Sequence, residues 1–130
     1  MENVLQFLND AKTFYLATSE DGQPHVRPFG AACIIDGKLC IMTNTQKNVF
    51  KQIQKNPKIE ISGMANGKWL RLQAEANFDD RREVRVAMLE AHPELSNMYS
   101  VDDGIMAVLA LTNATAQICS FTDEPETIKF

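Results

Sequence analysis

The chain has 130 residues, a formal net charge of −4 at pH 7 and a hydrophobic content of 45%. This length predicts a single domain over residues 1–130 with a real hydrophobic core. The acidic balance argues against nucleic acid as the main partner, because binding to a phosphate backbone needs a basic surface. No apolar run approaches the ~20 residues of a membrane span, and the N-terminus lacks the apolar segment of a signal peptide. We therefore expect a cytoplasmic protein without a membrane partner.

The first predicted elements are a short helix and two strands. Val4 and Leu8 belong to an apolar stripe that predicts an amphipathic N-terminal helix. Thr13–Ser19 alternates as a strand, and a second strand is predicted over Pro24–Ile35. The prolines of this second strand lack backbone donors, so we expect the backbone near Arg27–Gly30 to lie at an edge or bulge that a ligand can reach.

An Asp-Gly pair at residues 36–37 is a strong hairpin signal, because both residue types tolerate the positive φ of a two-residue turn. The predicted partner strand runs from Lys38 into Thr43–Lys47. Counting outward from the turn pairs Pro28 with Thr45. This register brings the run Arg27–Gly30 beside the run Thr43–Lys47, although the two are far apart in sequence.

A second helix is predicted after this hairpin. Val49 and Ile53 lie on one apolar stripe, Thr45 is a suitable N-cap, and an Asn-Pro pair at residues 56–57 ends the pattern. Lys47 then falls in the first turn, where the helix macrodipole disfavours a cation. Open N–H groups at a helix N-terminus, together with nearby cations, suit a phosphate or another anion.

The basic residues of this region have two interpretations. Asp36 is the only acid between Gln23 and Ile59, so the region is a basic island in an acidic chain. Lys51 and Lys55 continue from Lys47 at helical spacing, which is typical of a solvated helix face. For Lys47 together with Arg27, the spacing favours an anion site.

The second half of the chain predicts three more strands and a further helix. The strands are Lys58–Met64, Lys68–Phe78 and Ile105–Phe121, and the helix follows Asp80. One face of the middle strand is apolar, whereas its polar face begins with Trp69. Six strands joined by tight turns predict a closed or nearly closed antiparallel barrel, mainly β with short helices. Side chains fill a barrel this small, so a ligand should bind outside it or at a subunit contact.

Few side chains suggest metal or nucleophilic chemistry. His25 and His92 are too far apart and too poorly accompanied to indicate a metal site. No Ser-His-Asp, Cys-His or paired-carboxylate arrangement is visible, so no catalytic side chain is predicted. A disulfide between Cys33 and Cys40 across the hairpin is conceivable, but free and partly buried thiols are expected in a reducing compartment.

Several segments together resemble a known family. They are "FYLATSEDGQPHVRPFG", "DGKLCIMTNTQKNVFKQIQKNPKIEIS" and "WLRLQAEANF", in this order after an N-terminal helix. They resemble the pyridoxamine 5′-phosphate oxidase-like flavoproteins, the FMN-binding split barrels, over roughly residues 1–121. The most specific parts are an Arg-Pro pair before the first Asp-Gly turn and a Thr-x-x-x-Lys-Asn run after it. The resemblance implies a six-stranded antiparallel split β-barrel and a homodimer with the flavin at the subunit interface.

The resemblance also implies the residues that bind FMN. The residues similar to the family's phosphate ligands are Arg27 and Lys47. Those similar to the backbone stretch beside the flavin ring are Pro28, Phe29 and Gly30. Those in the run that holds the ribityl chain and phosphate are Thr43, Asn44, Thr45 and Asn48. Those on a strand face that approaches the cofactor or the dimer contact are Trp69, Arg71 and Gln73.

The function implied by the resemblance is that of an FMN-dependent oxidoreductase. FMN would pass electrons from a reduced nicotinamide or a similar donor to a small acceptor, and the protein would supply binding and orientation. The vitamin B6 oxidases of the family carry a C-terminal substrate-binding segment without a counterpart after Phe121, so we do not expect the B6 oxidase itself. The alternative is a non-catalytic binding protein for FMN or another anionic cofactor, such as deazaflavin or haem.

Overall fold

The computed structural model describes all 130 residues and is mainly β. Its helices are α1 (Glu2–Ala11), α2 (Asn48–Lys55), α3 (Arg82–Ala91) and a 3-10 helix over Pro93–Asn97. Its strands are β1 (Phe14–Glu20), β2 (Gln23–Phe29), β3 (Ala32–Ile35), β4 (Lys38–Asn44), β5 (Lys58–Ala65), β6 (Lys68–Asp79), β7 (Met106–Cys119) and β8 (Glu126–Lys129). None of the helices has the length and apolar character that crossing a membrane requires.

The strands form one antiparallel sheet in the order β2-β1-β5-β6-β7-β4-β3, and β8 pairs with β7. The two outermost strands of this order, β2 and β3, are separated in the chain by only Gly30 and Ala31. The two edges of the sheet must therefore approach each other at this point, and the sheet curls into the predicted split barrel. All six predicted segments form strands. The count rises to eight because the second segment breaks in two and the C-terminal tail adds β8.

The predicted hairpin register is correct near the turn and wrong farther out. Cys33 pairs with Cys40 as the count from the turn requires. Pro28, however, pairs with Tyr15 and not with Thr45, because the whole of β2 pairs with β1. The chain changes its partner strand at Gly30–Ala31, which opens a gap between β2 and β4 where the hairpin was predicted to continue.

The main core fills the barrel and consists of 21 buried residues. Inward-facing side chains such as Leu16, Ile61 and Leu72 have no exposed surface. Burial of apolar area on this scale is the dominant stabilising contribution to the fold. The alternation of β6 was predicted correctly, since Leu70 and Leu72 face this core while Arg71 is exposed.

A second cluster of nine buried residues lies under α3. Met88 of α3 contacts Cys33 of β3, with 3.7 Å between the two sulfur atoms. Cys33 and Cys40 are free and buried, as expected. Burial raises the pKa of both thiols to about 11, so both stay protonated at neutral pH.

Candidate functional site

Two adjoining depressions lie at the gap between β2 and the start of α2. The smaller is a cavity of ≈ 360 Å³. The predicted binding residues that line it are Arg27, Pro28, Phe29, Gly30, Thr43 and Lys47. The larger is a depression of ≈ 1050 Å³ along α2, and Arg27 and Lys47 line this one as well, with Asn48. The two predicted cations therefore share one site, although the register that led to this prediction is only partly correct.

The N-terminus of α2 differs in detail from the prediction. The helix begins at Asn48, and Lys47 is its N-cap, with the extended backbone angles φ −79° and ψ 150°. Thr45 does not cap the helix, because it lies two residues before the N-cap. Its backbone N–H donates to the Ile105 carbonyl at 2.8 Å and holds the chain against the start of β7. No side chain caps α2. The first N–H groups of this helix are therefore left for a ligand or water.

Arg27 is held from several sides. Its Nη1 donates to Thr18 Oγ1 at 2.8 Å and to the carbonyl oxygens of Leu16 and His25 at 3.3 Å each. Its Nη2 donates to Gln52 Oε1 at 2.6 Å. These contacts leave Nε–H and one hydrogen of Nη2 without an acceptor in the protein. Two directed donors of a fixed cation are therefore free to bind an anion.

The charges around Arg27 are poorly balanced within the protein. Partial burial lowers the pKa of Arg27, which is the direction expected for a cation that loses water without gaining a carboxylate. Neither Arg27 nor Lys47 forms an ion pair, whereas Lys55 pairs with Glu20 at 3.1 Å. A bound anion would offset this imbalance.

The other predicted binding residues lie outside the cavity. Asn44 bridges two neighbours: its Nδ2 donates to Tyr99 Oη at 2.8 Å, and its Oδ1 accepts the backbone N–H of Gln46 at 3.0 Å. Thr45 lines a different, smaller depression on the side of α3. Trp69, Arg71 and Gln73 lie on the outward face of β6.

On that face the three β6 side chains contact the protein and not the cavity. Trp69 lies against Phe121 with 5.0 Å between the ring centroids. Arg71 pairs with Glu60 at 3.6 Å, and Gln73 donates to Glu60 at 3.1 Å. One chain therefore does not bring this set together with Arg27 and Lys47.

The structure adds site residues that the sequence interpretation missed. Leu95, Met98 and Tyr99 form a wall of the cavity opposite β2. Thr18 and Gln52 bind Arg27 and are only 3% and 5% exposed. Thr18 and Gln52 could have been found from the sequence, because each is a polar residue on an otherwise apolar face. Thr18 follows Phe14 and Leu16 on β1, and Gln52 lies within the stripe of Val49 and Ile53 on α2. The wall residues had no such signal, because they lie in and just after the short 3-10 helix over Pro93–Asn97, which has no repeating apolar pattern.

A family model described as pyridoxamine 5′-phosphate oxidase matches residues 1–117, which is nearly the whole chain. The chain belongs to the pyridoxamine 5′-phosphate oxidase-like family. None of the curated proteins matches it. Members of this family often bind flavin.

Solved structures agree with the family assignment. A NimC/NimA family protein from Clostridium acetobutylicum is 53% identical, with a TM-score of 0.98 over 100% of this chain and 92% of that one. General Stress Protein 26 from Bacillus anthracis is 14% identical, with a TM-score of 0.78 over 99% of this chain and 97% of that one. A FAD-binding protein from Mesorhizobium loti is 15% identical, with a TM-score of 0.63 over 92% of this chain and 94% of that one. At these low identities the last two show the common fold alone.

The residues present fit the phosphate of a flavin nucleotide. The uncapped N-terminus of α2, the exposed Lys47 and the two free donors of Arg27 meet in the same depression. Beside them the cavity is lined mostly by apolar residues, with Glu94 as its one acidic residue. A charged end and an apolar end adjoin, which is the division that a phosphorylated ring system requires.

Proposed function

We propose that this chain is a flavoprotein that binds FMN at the gap between β2 and α2. The observation that carries the proposal is the α2 N-terminus, which no side chain caps and which Lys47 and Arg27 flank without ion pairs. Backbone N–H groups at a helix N-terminus and unneutralised cations favour a phosphate dianion.

Each part of the site has its own role in this proposal. Arg27 and Lys47 hold the phosphate, and Thr43 and Asn48, which line the two depressions, lie beside the phosphate and the ribityl chain. The backbone of Pro28, Phe29 and Gly30 lies beside the ring, because β2 has an open edge there. Pocket-lining Leu95 and Met98 exclude water from the ring's neighbourhood.

We further propose that the protein is an oxidoreductase that passes electrons from a reduced nicotinamide or a similar donor to a small acceptor. A bound flavin supplies the redox chemistry, since it accepts a hydride equivalent and gives up electrons singly or in pairs. The chain's own residues bind the cofactor and leave one edge of the site open to donor and acceptor. No side chain is assigned a proton transfer.

The proposed assembly is a homodimer with the flavin at the subunit contact. A barrel interior packed with 21 buried residues has no room for a ring system. A second copy can cover the open side of the ring, and the outward face of β6 with Trp69, Arg71 and Gln73 is available for this contact.

An absorbance spectrum of the purified protein tests the cofactor. We expect the two visible bands of an oxidised flavin, and acid release followed by chromatography should give FMN and not FAD. Addition of NADH or NADPH without oxygen should bleach the bands slowly, and an added acceptor should restore them.

Other outcomes separate the alternatives. A bound flavin that stays oxidised under excess NADH and NADPH would favour the binding-only function. An absorbance spectrum typical of haem or deazaflavin would show that the ligand is not FMN. A protein that binds none of these cofactors when they are supplied would overturn the proposal.

A further inference from the structure

The most deeply buried polar contacts of the barrel lie behind Arg27. Thr18 of β1 donates its hydroxyl to Gln52 Oε1 of α2 at 2.6 Å. Both groups also accept hydrogen bonds from Arg27 of β2, Thr18 at 2.8 Å and Gln52 at 2.6 Å. Two neighbouring strands, β1 and β2, and the more distant helix α2 thus meet in one hydrogen-bonded triangle.

Burial fixes the partners of the hydrogen bonds in this triangle. Thr18 and Gln52 are 3% and 5% exposed, so neither can exchange its partner for bulk water without cost. Arg27 Nη2 makes its one hydrogen bond within the chain to Gln52. The rotation of the guanidinium about its own side chain is therefore set by Thr18 and Gln52, assisted by the two backbone carbonyls.

The amide of Gln52 also has a fixed orientation. Its oxygen accepts both hydrogen bonds of the triangle, which directs its nitrogen away from Arg27.

We infer that Thr18 and Gln52 are positioning residues that aim the free Nε–H and Nη2–H donors of Arg27 at the phosphate of the ligand. The inference rests on the proposed function. A purely structural alternative is that the triangle only fastens α2 to β1. The two roles differ in what they change: positioning acts through Arg27 on the phosphate alone, whereas fastening acts on the fold and on every ligand.

The first test compares FMN with riboflavin, which lacks the phosphate, by fluorescence titration of the apoprotein. Gln52→Leu and Thr18→Val should each weaken FMN binding about tenfold and leave riboflavin binding nearly unchanged. Thr18→Ser keeps a hydroxyl at this position, so its FMN affinity should be close to that of the wild type. Gln54→Leu, an exposed glutamine on the same helix, is the matched control and should change neither affinity.

A double-mutant cycle decides whether the effect passes through Arg27. Once Arg27→Ala is present, Gln52→Leu should weaken FMN binding by less than about twofold, because no guanidinium is left to aim. If the two losses multiply, or if FMN and riboflavin affinities fall together, the positioning role is overturned in favour of the structural one.

A measurement without flavin keeps the inference testable if a variant binds poorly. In the wild-type apoprotein, the Nη hydrogens of Arg27 should exchange slowly enough to give resolved NMR signals, assigned by their loss in Arg27→Ala. They should broaden in Thr18→Val and persist in Thr18→Ser. Wild-type protein that binds no FMN would defeat the proposed function, whereas binding that depends on Arg27 but not on Thr18 or Gln52 would defeat only this inference.

Discussion

Individual cations decide the affinity of the proposed site for phosphate. A hydrogen bond from Arg27 or Lys47 to phosphate should contribute about 1.5–3 kcal/mol, or roughly 10- to 150-fold in affinity. Arg27→Ala and Lys47→Ala should therefore each weaken FMN binding by at least about tenfold in a fluorescence titration. Lys51→Ala should have a smaller effect, because its charge is exposed and screened.

Stability measurements separate binding from folding in the same variants. Lys47 at the N-cap opposes the macrodipole of α2, by about 0.3–1 kcal/mol. Lys47→Ala should leave the thermal midpoint of the apoprotein unchanged or slightly raised. Lys68→Ala, in an exposed lysine at the start of β6, is the control for a general loss of charge. Equal FMN affinities of Lys47→Ala and Lys51→Ala would show the basic island to be ordinary surface.

At the scale of single residues, the sequence predicted the two cations of the proposed site but not the side chains that bind Arg27. Arg27 and Lys47 could be predicted because a proline-interrupted strand and a helix start are local patterns. Thr18 and Gln52 could be seen as polar residues on apolar faces, but which buried donor they meet depends on how β1, β2 and α2 assemble. The contacts of Gln52 with Thr18 and Arg27 join distant parts of the chain and have no signature within a short stretch of sequence.

Among the elements, the segment between α3 and β7 is held in its conformation by the side chain of Asp103. Its carboxylate accepts backbone N–H groups from Ser100 at 3.0 Å, Ile105 at 2.9 Å and Met106 at 3.0 Å. This segment carries Tyr99, which holds Asn44 beside the cavity. Asp103 therefore fixes the turn from which one wall of the cavity begins.

Asp103→Asn should lower the free energy of unfolding by about 1 kcal/mol at neutral pH, as measured by urea denaturation. This value allows for the partial exposure of the carboxylate. Partial burial raises the pKa of the Asp103 carboxyl, but the backbone donors of Met106, Ile105 and Ser100 outweigh this and hold its pKa below 3.8. A depressed folded pKa gives stability above pH ~4 that is lost as the pH falls further. The difference between wild type and variant should shrink there, and a constant difference would contradict this account.

Elements with a regular pattern were predictable and element ends were not. The alternation along Lys68–Phe78 gave β6 with its correct faces. The N-terminus of α2 was predicted at Thr45, two residues before the Lys47 N-cap, because a suitable capping side chain was present. In the structure the Thr45 backbone N–H donates to the carbonyl of Ile105, a residue from a distant part of the chain, and the helix begins only after Lys47.

For the whole molecule, the barrel could be predicted from the sequence, but the break between β2 and β3 could not. The Asp-Gly turn at residues 36–37 and several alternating segments specify antiparallel neighbours, and all the segments predicted as strands form them. The break at Gly30–Ala31 arises from competition between β1 and β4 for the same segment. That competition is settled by the assembled sheet, so counting from one turn could not reveal it.

The outward face of the sheet retains an unusual amount of exposed apolar surface. Cross-strand pairing places Tyr15, Val26, Met64 and Trp69 on this one face of β1, β2, β5 and β6. Tyr15 is 50% exposed, Val26 69% and Met64 67%, and the neighbouring Phe121 is 88% exposed. Several exposed apolar side chains on one face are typical of a protein contact.

We expect light scattering to report twice the 14.6 kDa mass of the chain. Met64→Glu places an unpaired charge in the centre of the patch and should shift the protein toward monomer, since burial of an uncompensated charge is costly. Asn3→Glu is the control for an added charge, because Asn3 is exposed on α1, away from both the cavity and this face. Monomeric Met64→Glu should also lose flavin affinity if the second copy covers the ring. A wild-type monomer that binds FMN at full occupancy would rule out the homodimer.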